Sequence, residues 1–145
     1  MANGTKDYRN MINKIYHIAD IHIRNVKRHK EYRQVFRKLY SYIRKTKTDN
    51  DIIYIAGDIV HAKTDMSPEL VDLVSEFFIN LADLLPTIII LGNHDCNLNN
   101  SYRLDALSPI VKAIKHQNIH YLKDSGVYYI NGVHFNVMGV DTRPI

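Results

Sequence analysis

Three short apolar runs, each closed by a cluster of metal-ligand residue types, constrain this chain more than any other feature. Lys14 to Ala19 (KIYHIA) leads into Asp20-Ile21-His22. Asp51 to Ala56 (DIIYIA) leads into Gly57-Asp58-Ile59-Val60-His61, and Thr87 to Leu91 (TIIIL) into Gly92-Asn93-His94-Asp95. The runs are short, apolar and rich in isoleucine, as in strands buried on both faces, and a glycine breaks the second and third. Between them lie helical patterns. Tyr32, Val35, Phe36, Leu39 and Ile43 recur at helical spacing, with basic residues on the other face. Ser67-Pro68 supplies a capping hydroxyl followed by proline at the first helical position, and the pattern runs through Val71, Val74, Phe78, Leu81 and Leu85 until Pro86 ends it.

A third helix is expected from about Arg103 to Lys115, followed by a strand containing His120. Val127 to Ile130 and Val133 to Val137 flank Asn131-Gly132, a strong hairpin signal. Alternating strands and helices predict an α/β layered fold with a largely parallel sheet. Ligands of such sheets collect at the carboxyl ends of the strands, where all three clusters fall.

Each cluster offers hard or borderline ligands. If the chain stays extended through Asp20-Ile21-His22, residues two apart face the same side, so carboxylate and imidazole converge. Asp58, just past a glycine that permits a sharp exit, is placed to bridge two cations. Asn93, His94 and Asp95 add an amide oxygen, an imidazole and a carboxylate. Mixed oxygen and nitrogen donors suit Mn²⁺, Fe²⁺ or Zn²⁺ better than Ca²⁺. Taken singly, such clusters arise by chance; their order and placement together do not.

The 145 residues suffice for one domain with a hydrophobic core, and no apolar stretch is long enough to span a membrane. The first residues lack the apolar core of a secretory signal, and a single cysteine, Cys96, excludes an intramolecular disulfide framework. Both point to an intracellular protein. Net charge is +4, but its distribution is uneven. Arg24, Lys27, Arg28, Lys30, Arg33, Arg37, Lys38, Arg44, Lys45 and Lys47 gather more than half of the lysines and arginines into one segment. That segment reads either as a solvated helix face or as a surface for a phosphate backbone.

The series D-x-H, GD-x-x-H and GNHD resembles the calcineurin-like metallophosphoesterase superfamily. Within it, His17-Ile18-Ala19-Asp20-Ile21-His22, the histidine form Gly57-Asp58-Ile59-Val60-His61, and the run from Ile90 to Leu107 are similar to the Mre11/SbcD nucleases. The resemblance covers about Ile15 to Leu122. It implies an α/β/β/α sandwich, of which this chain supplies the N-terminal half to two-thirds as one incomplete domain. It further implies two divalent metal ions, Mn²⁺ first among them. Asp20 and His22 would bind the first ion, Asp58 would bridge, and Asn93 would bind the second. His94 would act on the scissile phosphate, with Asp95 and His61 orienting or supporting it. The expected activity is two-metal hydrolysis of DNA phosphodiesters in end processing, double-strand break repair or recombination.

Beside such a site, Arg24, Lys27, Arg28, His29, Lys30, Arg33 and Arg37 become candidates for DNA-backbone contact. The resemblance also implies a homodimer and a Rad50/SbcC-like ABC-type ATPase partner. Leu98, Tyr102, Leu104 and Leu107 are candidates either for the dimer face or for the core.

The family's later histidine ligands, of GH and GHxH type, have no counterpart here, so the second site falls short of the three protein ligands a catalytic metal wants. His116, His120 and His134 read as surface or packing residues, and His17 as a core or rim histidine. A fragment of a longer nuclease is the simplest expectation. The alternatives are a phosphoesterase acting on nucleotides or phosphoproteins, and a short product that binds DNA or a partner without cleaving.

Overall fold

The computed structural model describes residues 11–61, 66–92, 95 and 105–138. Four strands, β1 (Ile15–Ile18), β2 (Ile52–Ala56), β3 (Thr87–Ile90) and β4 (Ile119–Tyr121), form one sheet in the order β1-β2-β3-β4. All three pairings are parallel. The connections carry helices α1 (His29–Thr46), α2 (Pro68–Leu84) and α3 (Ser108–Ile114). A hairpin of β5 (Gly126–Ile130) and β6 (Val133–Val137) follows, turned by Asn131 and Gly132, both at positive φ.

Strand periodicity divides the core in two. Ile53, Ile55 and Ile89 face the helices, where they meet Phe36, Ile43, Leu73, Phe77 and Leu81. Ile52 and Ile88 face the other way and, with Leu122, are covered by Tyr128, Ile130, Phe135 and Val137 of the hairpin. The described layers are therefore helix, parallel sheet and hairpin, a mixed α/β arrangement consistent with a metallophosphoesterase fold. Among the described residues no helix is long and apolar enough to cross a membrane.

The start of α2 follows the sequence signal closely. The Ser67 hydroxyl accepts from Leu70 N at 3.1 Å and Pro68 opens the helix. Ser67 also ties α2 to the loop after β1: its amide donates to Asn25 Oδ1 at 2.6 Å and its hydroxyl to Asn25 O at 3.1 Å. Ser67→Ala should cost about 1 kcal/mol, the usual effect of a lost N-cap, read as a lowered urea midpoint at constant slope.

Three expectations need correction. Asp105 to Leu107 lie outside the third helix, which begins at Ser108. The Asp105 carboxylate captures the amides of Leu107 and Ser108 and the Ser108 hydroxyl, making a local turn that competes with helix. Leu107 is fully buried in the core, which removes it from any dimer face; Leu98, Tyr102 and Leu104 lie outside the described residues. Val35, placed on the apolar face of α1, is 60% exposed. It lines the cavity beside α1.

Candidate metal centre

Beyond the ends of β1 and β2 the chain leaves the strand conformation and then pairs again. His22 N donates to Asp58 O at 3.0 Å, Ile23 N to Ile59 O at 2.8 Å and His61 N to Ile23 O at 2.9 Å. Between strand and re-pairing stand the kinks. Asp20 (φ 52°), His22 (φ 48°) and Asp58 (φ 50°) all occupy the left-handed region. The extended Asp20-Ile21-His22 segment predicted from sequence is thus wrong in its backbone. The convergence it was meant to explain comes instead from two left-handed residues flanking Ile21. Aspartate and histidine tolerate this region better than most residues, yet each departure costs about 1–2 kcal/mol. Strain of this kind persists only where surrounding contacts fix it, as the paired loops do here.

The outcome is a three-residue cluster. His22 Nε2 lies 3.7 Å from Asp20 Oδ1 and 4.0 Å from Asp58 Oδ2. One ligand atom from each residue falls within 4.8 Å of the others. Asp20 is largely exposed, while His22 and Asp58 are mostly covered, so the cluster is open on one side. Ligand atoms roughly 2.1 Å from one ion stand roughly 3.0–3.5 Å apart, so small side-chain adjustments would close these donors on a divalent cation. Two carboxylates and an imidazole fit that use.

Glycine lets the ends of β2 and β3 approach each other. Gly57 has φ 85°, and a Cβ there would stand 2.5 Å from Gly92 N. A Cβ on Gly92 would overlap the Oδ1 and the backbone nitrogen of Asp58. The third cluster therefore begins in van der Waals contact with the second. Asn93 and His94 lie outside the described residues.

Asp95 joins the same contact from below. It is fully buried, and its carboxylate accepts from Ile59 N at 3.0 Å, Val60 N at 3.1 Å and Gly92 N at 3.0 Å. Burial raises its pKa, and the three amide donors oppose that rise without cancelling it. The side chain expected to support His94 is thus committed to backbone: it fastens the loop after β2 to the end of β3. His61 is exposed, its ring centroid 6.1 Å from that of His22, on the rim of the cluster.

The basic segment divides on inspection. Arg33 pairs with acidic residues of α2, at 3.4 Å from Asp72 and 3.3 Å from Glu76. His29 Nε2 is 2.6 Å from Arg24 O and holds the loop that starts α1. Arg24, Lys27, Arg28, Lys30 and Arg37 are exposed, the first three in the loop that immediately follows Ile23. Of the other histidines, His116 pairs with Asp83 at 2.8 Å, and His120 is half-buried in β4 with its pKa lowered by burial. His134 packs edge-on against Tyr129 on the exposed face of the hairpin.

Two residues at the site carried no sequence signal beyond their helical or loop context. Tyr32, read as part of an apolar stripe, donates through its hydroxyl to His22 O at 2.9 Å and Ile21 O at 3.4 Å. Asp105 gathers Tyr121 Oη at 2.6 Å and Lys123 Nζ at 3.2 Å besides its own turn, and those hydrogen bonds lower its pKa against the rise that burial imposes. Ala106 N donates to Asp95 O at 2.9 Å.

The family model for calcineurin-like phosphoesterases matches residues 13–143, nearly the whole chain. The chain belongs to that family. It is also similar to an uncharacterized protein of Acanthamoeba polyphaga mimivirus, at 48% identity over 136 residues covering 92% of this chain. The chain spans only 10% of that relative's length. Asp20, His22 and Asp58 are a possible metal-binding group of this phosphoesterase domain.

Proposed function

We propose that this calcineurin-like phosphoesterase domain hydrolyses phosphodiesters of nucleic acid, in the manner of the Mre11/SbcD nucleases it resembles. The observation that carries the reading is the meeting of Asp20, His22 and Asp58 at the ends of β1 and β2, with an exposed cationic loop directly beside them. Divalent cations bound there, Mn²⁺ first among the candidates, would neutralise phosphoryl charge and lower the pKa of water towards neutrality. The protein's own part is to hold donors at fixed spacing on a braced turn and to leave the Asp20 side open to a substrate. Arg24, Lys27 and Arg28 would engage the neighbouring phosphates, giving sequence-independent affinity that falls with salt. His61, the residue that distinguishes GD-x-x-H from aspartate-bearing phosphatases, stands on the same rim. A homodimer and an ABC-type ATPase partner belong to the same reading.

In the complete enzyme, Asp58→Asn should reduce Mn²⁺-dependent cleavage of a single-stranded oligonucleotide to background, because it removes the charge expected to bridge two cations. Calorimetric titration with Mn²⁺ should show the matching loss of affinity. Undiminished cleavage in this variant would end the proposal. Hydrolysis confined to phosphomonoesters would replace it with a nucleotide or phosphoprotein phosphatase.

A further inference from the structure

A cavity of about 610 Å³ lies between the carboxyl end of β1 and the first turns of α1, within the size range of small-molecule sites. Its walls are apolar where Ile18, Phe36, Leu39 and Phe77 reach it, and polar where His17, Arg28, Glu31 and Tyr32 do. Two further wall residues, Ala19 and Ile21, flank Asp20 in the chain, so the cavity and the metal cluster share one turn. Tyr32 belongs to both, lining the cavity with its ring while its hydroxyl holds the carbonyls of Ile21 and His22.

We propose that this cavity is a base subsite, holding one unstacked nucleobase of a single strand whose adjacent phosphodiester lies at Asp20, His22 and Asp58. The inference rests on the phosphodiesterase reading and names what the substrate offers next to the scissile bond. A base has an apolar π-face and a polar edge, and the cavity has both counterparts. The partly exposed ring of Tyr32 gives a sequence-tolerant stacking surface, backed by the buried Phe36 and Phe77. Arg28 and Glu31 supply donors and acceptors from a loose ion pair, 3.8 Å apart and mostly exposed, that readily yields to a base edge. The surroundings favour a ligand joined to phosphate: Arg24, Lys27 and Lys30 are exposed on the adjoining loop and helix. An added polypeptide strand along the open edge of β1 is the competing occupant, but it would have no use for that charge.

The test compares a thymidine trinucleotide with the same molecule lacking its central base, each titrated into the metal-free protein and followed by amide chemical shifts. The intact trinucleotide should move the signals of Ala19, Ile21, Tyr32 and Leu39, while the abasic one should move only those of the Arg24–Arg28 loop and bind about tenfold more weakly. Val35→Trp, a change at the exposed mouth of the cavity, should weaken the intact ligand about tenfold and leave the abasic one unchanged. Equal affinity for the two, with cavity signals silent, overturns the subsite, whether the base goes elsewhere or polypeptide covers β1. Bis(p-nitrophenyl) phosphate, which has no base, separates the two readings. Mn²⁺-dependent hydrolysis of it with a silent cavity refutes the subsite alone. Cavity shifts without any hydrolysis by the complete enzyme refute the phosphodiesterase reading and leave a nucleotide-binding cavity standing.

Discussion

Gly92→Ala should disable the metal centre although residue 92 contributes no ligand atom. Its new methyl would fall on the Oδ1 and backbone nitrogen of Asp58, and neither can yield cheaply. The nitrogen belongs to a left-handed turn whose next residues are hydrogen-bonded to the loop after β1 and to Asp95. The oxygen belongs to the carboxylate expected to bridge two cations. Overpacking alone costs about 1–3 kcal/mol. Turning Asp58 away should add at least a tenfold loss of Mn²⁺ affinity, measured calorimetrically alongside urea unfolding. Gly126→Ala is the internal control: its methyl meets nothing nearer than the Tyr128 ring at 3.7 Å, so it should leave metal affinity unchanged. Wild-type Mn²⁺ binding in Gly92→Ala would mean that the approach of β3 to Asp58 does not set the geometry of the cluster.

The contrast between these glycines bears on what the sequence could reveal. Strands were legible because both of their faces are buried, which leaves an unbroken apolar run in β2 and β3. The start of α2 was legible because its cap is local, one serine and one proline. The hairpin declared itself through Asn131-Gly132 for the same reason. What escaped were features made by non-local contact. Val35 obeys helical periodicity as faithfully as Phe36, yet among the described residues it borders a cavity and stays exposed. The start of α3 was misjudged because Asp105 captures the amides of Leu107 and Ser108 in a turn, and its carboxylate is fixed there by Tyr121 and Lys123, residues distant in sequence.

The candidate site was legible by residue type and illegible by conformation. Asp20, His22 and Asp58 were nominated from spacing, and they do meet. The proposed route, an extended D-x-H segment, could not anticipate left-handed backbone at all three positions. Positive φ outside glycine leaves little trace in sequence, because it is tertiary contact that pays for it. Here those contacts are the loop pairing of Ile23 with Val60 and the hydroxyl of Tyr32 on the turn carbonyls. Arg33 makes the complementary point. Charge clustering put it with the candidate DNA-facing residues, and its pairing with Asp72 and Glu76 on the neighbouring helix had no signal in the spacing along α1.

Asp95→Ala should be the most destabilising single change in this region, and for a reason unrelated to donating electrons to a metal. Three buried or half-buried backbone amides, those of Ile59, Val60 and Gly92, converge on one carboxylate. Removing it takes away the acceptor of all three. At roughly 1–3 kcal/mol for each unsatisfied donor, the total should exceed about 3 kcal/mol, a large share of the roughly 5–15 kcal/mol typical of a domain. Asp95→Asn separates charge from hydrogen bonding. The amide oxygen can still accept from Ile59 and Val60, while its NH₂ group would oppose Gly92 N, so the loss should be about half as great. Acidity gives a second check on sign. Because burial raises the Asp95 pKa, its ionised form costs stability near neutrality, and that cost is relieved as pH falls through its folded pKa. Asp105, with its lowered pKa, acts in the opposite sense and gives up its contribution only at lower pH, so the two should be followed separately by carboxyl NMR titration. Urea unfolding of Asp95→Ala within 1 kcal/mol of wild type would show that water or a relaxed loop can replace the carboxylate. The ends of β2 and β3 would then be held together by the strand pairing of Ala56 with Ile90 and the close approach of Gly57 to Gly92.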